Sequence, residues 1–339
     1  MTLPVTQLDD WQQLLSHTID DPAELLRLLE LPAELLAPAR AAAADFALRV
    51  PVPYLKRIRK GDPDDPLLRQ VLPLGAERLS VPGYVSDPLA EMAANHQDGL
   101  IHKYKGRVLL ILTGACAINC RYCFRRHFPY EDNRLGPEQW QQVLDYLRRH
   151  SEVNEVIFSG GDPLATSDKR LARMVRDLAD IPHLSRVRVH SRLPVVIPQR
   201  VTDSLIEALT GTRLQSLMVL HVNHASEIDQ DVDQAVLRLK RAGVTMLNQS
   251  VLLRGVNDSV SALQALSERL FAAGVLPYYL FVLDAVAGAA HFDVSDDEAR
   301  SLMRALQAEL PGFLLPRLAR EIPGRPAKTL LALGGDSTA

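Results

Sequence analysis

The chain has 339 residues, 47% of them apolar and 23% charged, which is enough to bury a large core and far from the composition of a disordered segment. Its 38 Lys and Arg against 41 Asp and Glu leave a formal net charge of −3, so no global field draws it to nucleic acid or to an anionic membrane. The longest uncharged stretches, 108–120 and 270–283, fall short of the roughly 18 apolar residues that a membrane span needs.

Met1 to Trp11 carries two acids, no base and no apolar run, unlike a secretory leader. Asp21-Pro22 sets a capping residue before a helix-compatible proline, and Leu25, Leu26, Leu28 and Leu29 follow. Pro32 restarts a helical stretch through Leu36, and 41–48 reads as a third, closed by Pro51 and Pro53. Proline and glycine then recur without a period to about Leu100. The expected organisation is a helical N-terminal region and connection over 1–100, a body over 101–310 and a C-terminal segment over 311–339.

Within the body, short apolar runs of β type stand at 107–113, 155–159, 186–190, 216–222, 244–252 and 278–283. Helix-type stretches alternate with them at 137–150, 167–180, 202–209, 227–242, 260–273 and 295–309. Six such pairs predict an α/β fold with a parallel sheet and helical crossovers. Periodicity alone does not separate an open doubly wound sheet from a barrel, whole or partial. In either, functional residues gather at the C-terminal ends of the strands.

The three cysteines of the chain, Cys116, Cys120 and Cys123, sit in one loop directly after the first of these strands. An odd number so closely spaced makes no disulfide framework and fits a reducing, cytoplasmic compartment. Three thiolates from one loop can hold three irons of a [4Fe–4S] cluster and leave the fourth open. A zinc site is the alternative, with His127 as a fourth ligand from the same loop, although structural zinc favours two separated pairs. Free buried cysteines are the least favoured reading. One strand later, Ser159 runs into Gly160-Gly161-Asp162-Pro163, where glycines let the backbone approach a ligand; an ordinary strand-to-helix turn is the plainer reading.

The C-x3-C-x2-C spacing, with an aromatic before the third cysteine and the Gly-Gly-Asp turn one strand on, resembles the radical S-adenosylmethionine (SAM) enzymes. That resemblance implies a partial (β/α)6 barrel. It also implies a cluster on Cys116, Cys120 and Cys123 whose open iron is chelated by SAM, and SAM contacts in the region of Gly160, Gly161, Asp162 and Gln249.

Basic residues are overwhelmingly arginine, 31 against 7 lysines, and the last 99 residues hold one lysine, Lys328. A primary amine can form a Schiff base and a guanidinium cannot, although a surface lysine in a tail has the same composition. The runs 102–113, 116–126, 248–253, 255–258 and 279–284 are similar to those of the lysine 2,3-aminomutase family, over about Asp87 to Thr329. The resemblance implies that Lys328 carries pyridoxal 5′-phosphate (PLP) as an internal aldimine and that Arg107 and Lys103 meet its phosphate. It implies that Arg125 clamps the substrate α-carboxylate, and that Asp284 and Glu321 grip the ε-ammonium of L-lysine. Glu321 stands where the family has an aspartate, and Tyr122, a cofactor contact by position, stands where free-lysine enzymes have histidine. Only 11 residues follow Lys328, where those enzymes carry a long tail. This compactness and the run 122–130 resemble the bacterial branch that supplies (R)-β-lysine for modification of elongation factor P. The implied partners are L-lysine, a reductant and the ligase system of that factor, with assembly into homo-oligomers as in relatives. A free-standing aminomutase for lysine or another amino acid, and a radical SAM enzyme without PLP, are the alternatives. His190-Ser191-Arg192 and His221-Val222-Asn223-His224 also end predicted strands and read as hydrogen-bonded rim residues.

Overall fold

A computed structural model describes residues 10–97, 99–133 and 135–334; most of the stretch Met1 to Trp11 lies outside them, as does the end of the C-terminal segment. The body is a ten-stranded sheet, labelled in chain order: β1 (Asn95–Gln97), β2 (Leu100–Tyr104), β3 (Arg107–Ile111), β4 (Glu155–Ser159), β5 (Arg186–Ser191), β6 (Gln215–Leu220), β7 (Thr245–Val251), β8 (Leu276–Phe281), β9 (Arg317–Arg320) and β10 (Thr329–Leu330). Strand order follows chain order from one edge to the other. β3 through β9 are parallel, while β1, β2 and β10 extend the edges antiparallel. The two edge strands do not pair, so this is a barrel left open.

Six helices supply the crossovers: α1 (Pro137–Arg149), α2 (Asp168–Ala179), α3 (Asp203–Thr210), α4 (Gln230–Arg241), α5 (Val260–Ala273) and α6 (Asp296–Glu309). Their inward stripes follow helical spacing, as with Trp140, Val143, Leu144 and Leu147 on α1 and Leu171, Met174, Val175 and Leu178 on α2. Five of their starts are capped by Ser167, Thr202, Asp229, Ser259 and Ser295, whose side chains accept from backbone N–H groups of the first turn. All six expected strand–helix pairs are present. β9 is a seventh parallel strand that the sequence reading did not contain. No helix among the described residues is long and apolar enough to cross a membrane.

The N-terminal region differs in detail from expectation. Asp21 caps Pro22–Leu28 as predicted, accepting from the Ala23 N–H at 2.9 Å. The stretch after Pro32 is a single turn, Ala33–Leu35, and the next helix runs Leu36–Asp45 rather than 41–48. Pro38 lies in that helix's first turn, where a missing N–H costs nothing; the helix stops where Phe46 turns extended. Buried side chains of this region, including Trp11, Leu25, Tyr54 and Leu68, form one continuous core with the barrel.

The irregular segment 46–79 is clamped to the cysteine loop. The buried Arg121 guanidinium donates to both oxygens of the buried Glu77, at 2.9 and 2.5 Å, and to the Phe46 and Ala47 carbonyls. Arg126 donates to the same carboxylate at 2.9 Å. Removing Glu77 strands two buried cations. Glu77→Ala is therefore expected to lower stability by about 3–5 kcal/mol, read as a fall in the urea midpoint; an unchanged midpoint contradicts the clamp.

Candidate active site

The cysteine loop has little regular structure, so its backbone groups must be satisfied from outside. Two partners come from the N-terminal region: Asn119 N–H donates to the Arg49 carbonyl at 3.1 Å and Arg121 N–H to the Gln70 carbonyl at 2.9 Å. Two come from the turn after β4, where Gly161 N–H donates to Thr113 at 2.7 Å and Asp162 N–H to Ala115 at 2.8 Å. Gly160 adopts φ +131°, and a Cβ there would stand 2.4 Å from the Thr113 carbonyl oxygen; one on Gly161 would stand 2.6 Å from those of Gly114 and Ala115. The close approach that these glycines permit is thus to the cysteine loop itself.

Asp162 is buried and fully engaged. Its carboxylate accepts from the Leu164, Arg192 and Leu193 N–H groups and from Ser191 Oγ, at 2.7 to 3.0 Å. It ties the ends of β4 and β5 together, and burial raises its pKa in spite of these donors.

All three cysteines are free thiols and partly exposed. Burial, then the neighbouring thiols, push Cys116 well up and Cys123 up to about 11. The sulfurs therefore lie close enough to oppose one another's ionisation, which a cationic metal core relieves. Among the described residues no three His, Cys, Asp or Glu side chains are arranged to hold a single metal ion. Three thiols on one loop are the donor type that three irons of an iron–sulfur cluster take, and no fourth ligand is arranged with them among the described residues.

Around the thiols lies a buried polar network absent from the sequence reading. Arg192 donates through one terminal nitrogen to Cys120 Sγ and the Tyr122 hydroxyl, both at 2.8 Å, and through the other to Gln70 Oε1 and Glu227 Oε2, both at 2.7 Å. Tyr122 is thereby committed to Arg192, with a longer 3.4 Å bond to Gln70. Arg125 is also buried: its Nε and one terminal nitrogen grip Glu91 at 2.6 and 2.8 Å, and the other nitrogen donates to Ser159 Oγ and the Gly160 carbonyl. The fork expected to meet a ligand carboxylate already holds one from the protein.

Of the remaining predicted residues, Lys103 and Arg107 come from β2 and the start of β3, and Asp284, Glu321 and Lys328 from the segments around β8 to β10 at the other end of the strand order. Glu321, just after β9, accepts from Lys328 Nζ at 2.7 Å and Lys103 Nζ at 3.1 Å. Burial alone would raise its carboxyl, but the two ammonium groups hold it at about 2. Lys328 also lies 4.6 Å from the Phe281 ring centroid, and Arg107 lies 4.2 Å from that of Tyr104. Asp284, three residues past β8, makes no side-chain hydrogen bond or ion pair among the described residues; burial and then Glu321 push it up to about 7 against the pull of Lys328. Gln249 meets His221 at 3.0 Å between ring and amide nitrogens, and His221 packs edge-on to His190 at 5.9 Å. Burial holds both imidazoles neutral, His221 at about 4.

A parallel partial barrel with three thiols on the loop after its first parallel strand defines the class, a radical SAM enzyme, and the Radical SAM superfamily profile matches residues 110–264. The chain is 53% identical over 335 residues to an L-lysine 2,3-aminomutase of Escherichia coli, covering 98% of this chain and 97% of that one. It is 50% identical to one of Haemophilus influenzae (97% of each chain) and 43% identical to one of Buchnera aphidicola (96% of each). The chain belongs to the radical SAM lysine 2,3-aminomutase family. It is accordingly an enzyme, an isomerase, and the family brings a [4Fe–4S] cluster and SAM to the site.

The state of Asp284 gives a stability test. The folded chain keeps a proton up to about pH 7 that the unfolded carboxyl gives up near 3.8. Ionising it costs stability that is absent at low pH, grows as pH rises through that window and is complete above it. Asp284→Asn is expected to melt above the wild type at pH 8, with the gap closing toward pH 4. A gap that does not vary with pH contradicts this.

Proposed function

We propose that the chain converts L-lysine to (R)-β-lysine with PLP at Lys328, and that the product serves β-lysylation of elongation factor P in the cytoplasm. The observation that carries the substrate reading is the pair of carboxylates near Lys328. Glu321 already accepts from two ammonium groups, and Asp284 stands beside them without a cation of its own. A substrate ε-ammonium supplies that cation and draws Asp284 into its ionised form. Were Lys328 to hold PLP, Glu321 Oε2, which accepts from its amine here, would be left to accept from the substrate as well.

When bound, the cluster and SAM supply a 5′-deoxyadenosyl radical, and PLP supplies a π-system over which unpaired spin spreads while nitrogen moves from Cα to Cβ. The residues hold the parts in register. Arg107 and Lys103 offer cations to the cofactor phosphate. Arg125, with one N–H not taken by Glu91, Ser159 or Gly160, offers charge to the substrate α-carboxylate. Gly160, Gly161 and Asp162 shape the SAM side by fixing the cysteine loop, and Gln249 faces it with His221 as its partner. His190 and His221 stay neutral there and add no charge to the chamber.

The elongation factor assignment is supported by the run 122–130 and by near full-length identity to bacterial relatives. The partners on this reading are a low-potential reductant and the ligase system that takes the β-amino acid.

The test is anaerobic reconstitution with iron, sulfide, SAM, PLP and dithionite, then chiral analysis of products from L-lysine. (R)-β-lysine is expected. Lys328→Ala is expected to lose turnover by at least about 10³-fold while keeping the iron–sulfur absorbance, and borohydride should fix PLP to wild type but not to the variant. Wild-type turnover in the variant rejects the role of Lys328, and an iron–sulfur protein with no reducible PLP adduct rejects the cofactor.

A further inference from the structure

Arg192 is the one cation among the described residues that donates a hydrogen bond to a cysteine sulfur. It is buried, and both of its terminal nitrogens are held, while its Nε has no hydrogen-bond partner among the described residues. Glu227 Oε2 and Gln70 Oε1 hold one terminal nitrogen, the Tyr122 hydroxyl shares the other, and the Tyr54 ring lies 5.4 Å from its guanidinium carbon. Glu227 is held in turn: Oε1 accepts from the Asn223 and His224 N–H groups at 2.8 and 3.0 Å and from Gln70 Nε2 at 3.2 Å. This N–H reaches Cys120 from the residue that follows β5, so the end of that strand and the thiol loop are joined by a charged hydrogen bond.

We propose that Arg192 is a positioning residue that sets the reduction potential of the cluster by donating to Cys120 Sγ. The inference rests on the cluster reading above. Reduction adds one electron from a low-potential donor to the cluster and its thiolates; a cation and an N–H at one sulfur favour the more negative, reduced state and raise the midpoint. Glu227 aligns the guanidinium and offsets part of its field.

The test is a redox titration of the reconstituted full-length enzyme without SAM, followed by electron paramagnetic resonance of the reduced cluster. R192Q/E227Q removes both charges and leaves no buried ion unpaired, while R192K keeps the cation. The double variant is expected to hold wild-type iron and sulfide and to titrate at a more negative potential, with R192K nearer to wild type. An unchanged midpoint at full cluster content overturns the proposal. Loss of the cluster from both variants also overturns it, because the role is then structural. A wild-type chain that builds no cluster sinks the proposed function instead.

Discussion

Everything at the mouth of this barrel depends on a loop that cannot satisfy its own backbone. Residues 113–123 carry three thiols but little internal hydrogen bonding, so the Arg49 and Gln70 carbonyls on one side and the Gly161 and Asp162 N–H groups on the other hold the loop in place. A bulkier residue at 160 or 161 would strike the carbonyls of that loop. The N-terminal region is therefore part of the site. It shares the barrel's core, supplies Glu77 against Arg121 and Arg126, and brings Gln70 into the network around Cys120.

The same constraint divides the mouth into two electrostatic fields. On the thiol side each of these buried guanidinium groups meets a carboxylate, Arg192 with Glu227, Arg125 with Glu91, and Arg121 and Arg126 sharing Glu77, while the buried Asp162 is held by neutral hydrogen-bond donors. Toward Lys328 Glu321 serves two lysines, and Asp284 pairs with no cation among the described residues. A matched field fixes the geometry of its surroundings at little cost in adaptability, whereas an unmatched buried carboxyl is a standing preference for a cationic ligand.

The parallel sheet was legible because short apolar or alternating runs are regularly flanked by amphipathic helices, and Leu109 to Ile111 or Val156 to Phe158 suit a sheet covered on both faces. β9 was not, because Arg317 and Arg320 leave only Leu318 and Ala319 as its apolar core. The thiol loop could be read from its spacing, whereas composition only singled out Lys328 and the family resemblance alone suggested a role for it. Gln70, Glu91, Arg192 and Glu227 could not: a buried ion pair joining residues 34 or 35 positions apart leaves no periodic trace, and only Arg192 carried a signal, its place at the end of a strand. The glycines after β4 were read as room for a ligand, and the structure shows what they must first make room for, the Thr113 to Ala115 backbone.

On the proposed function, the two fields would place substrate discrimination at one end of an amino acid. Arg125 would meet an α-carboxylate with its charge already compensated by Glu91, so every α-amino acid would gain about the same there. The far end differs. A side-chain ammonium reaching Asp284 and Glu321 relieves the carboxyl that burial holds at about 7, while a side-chain carboxylate would add a third negative group beside them in a poorly solvated pocket. A neutral side chain leaves Asp284 protonated and gains neither the ion pair nor its hydrogen bonds. Selection for lysine over glutamate on this reading is built from repulsion as much as attraction, and it needs no contact near the atoms that rearrange.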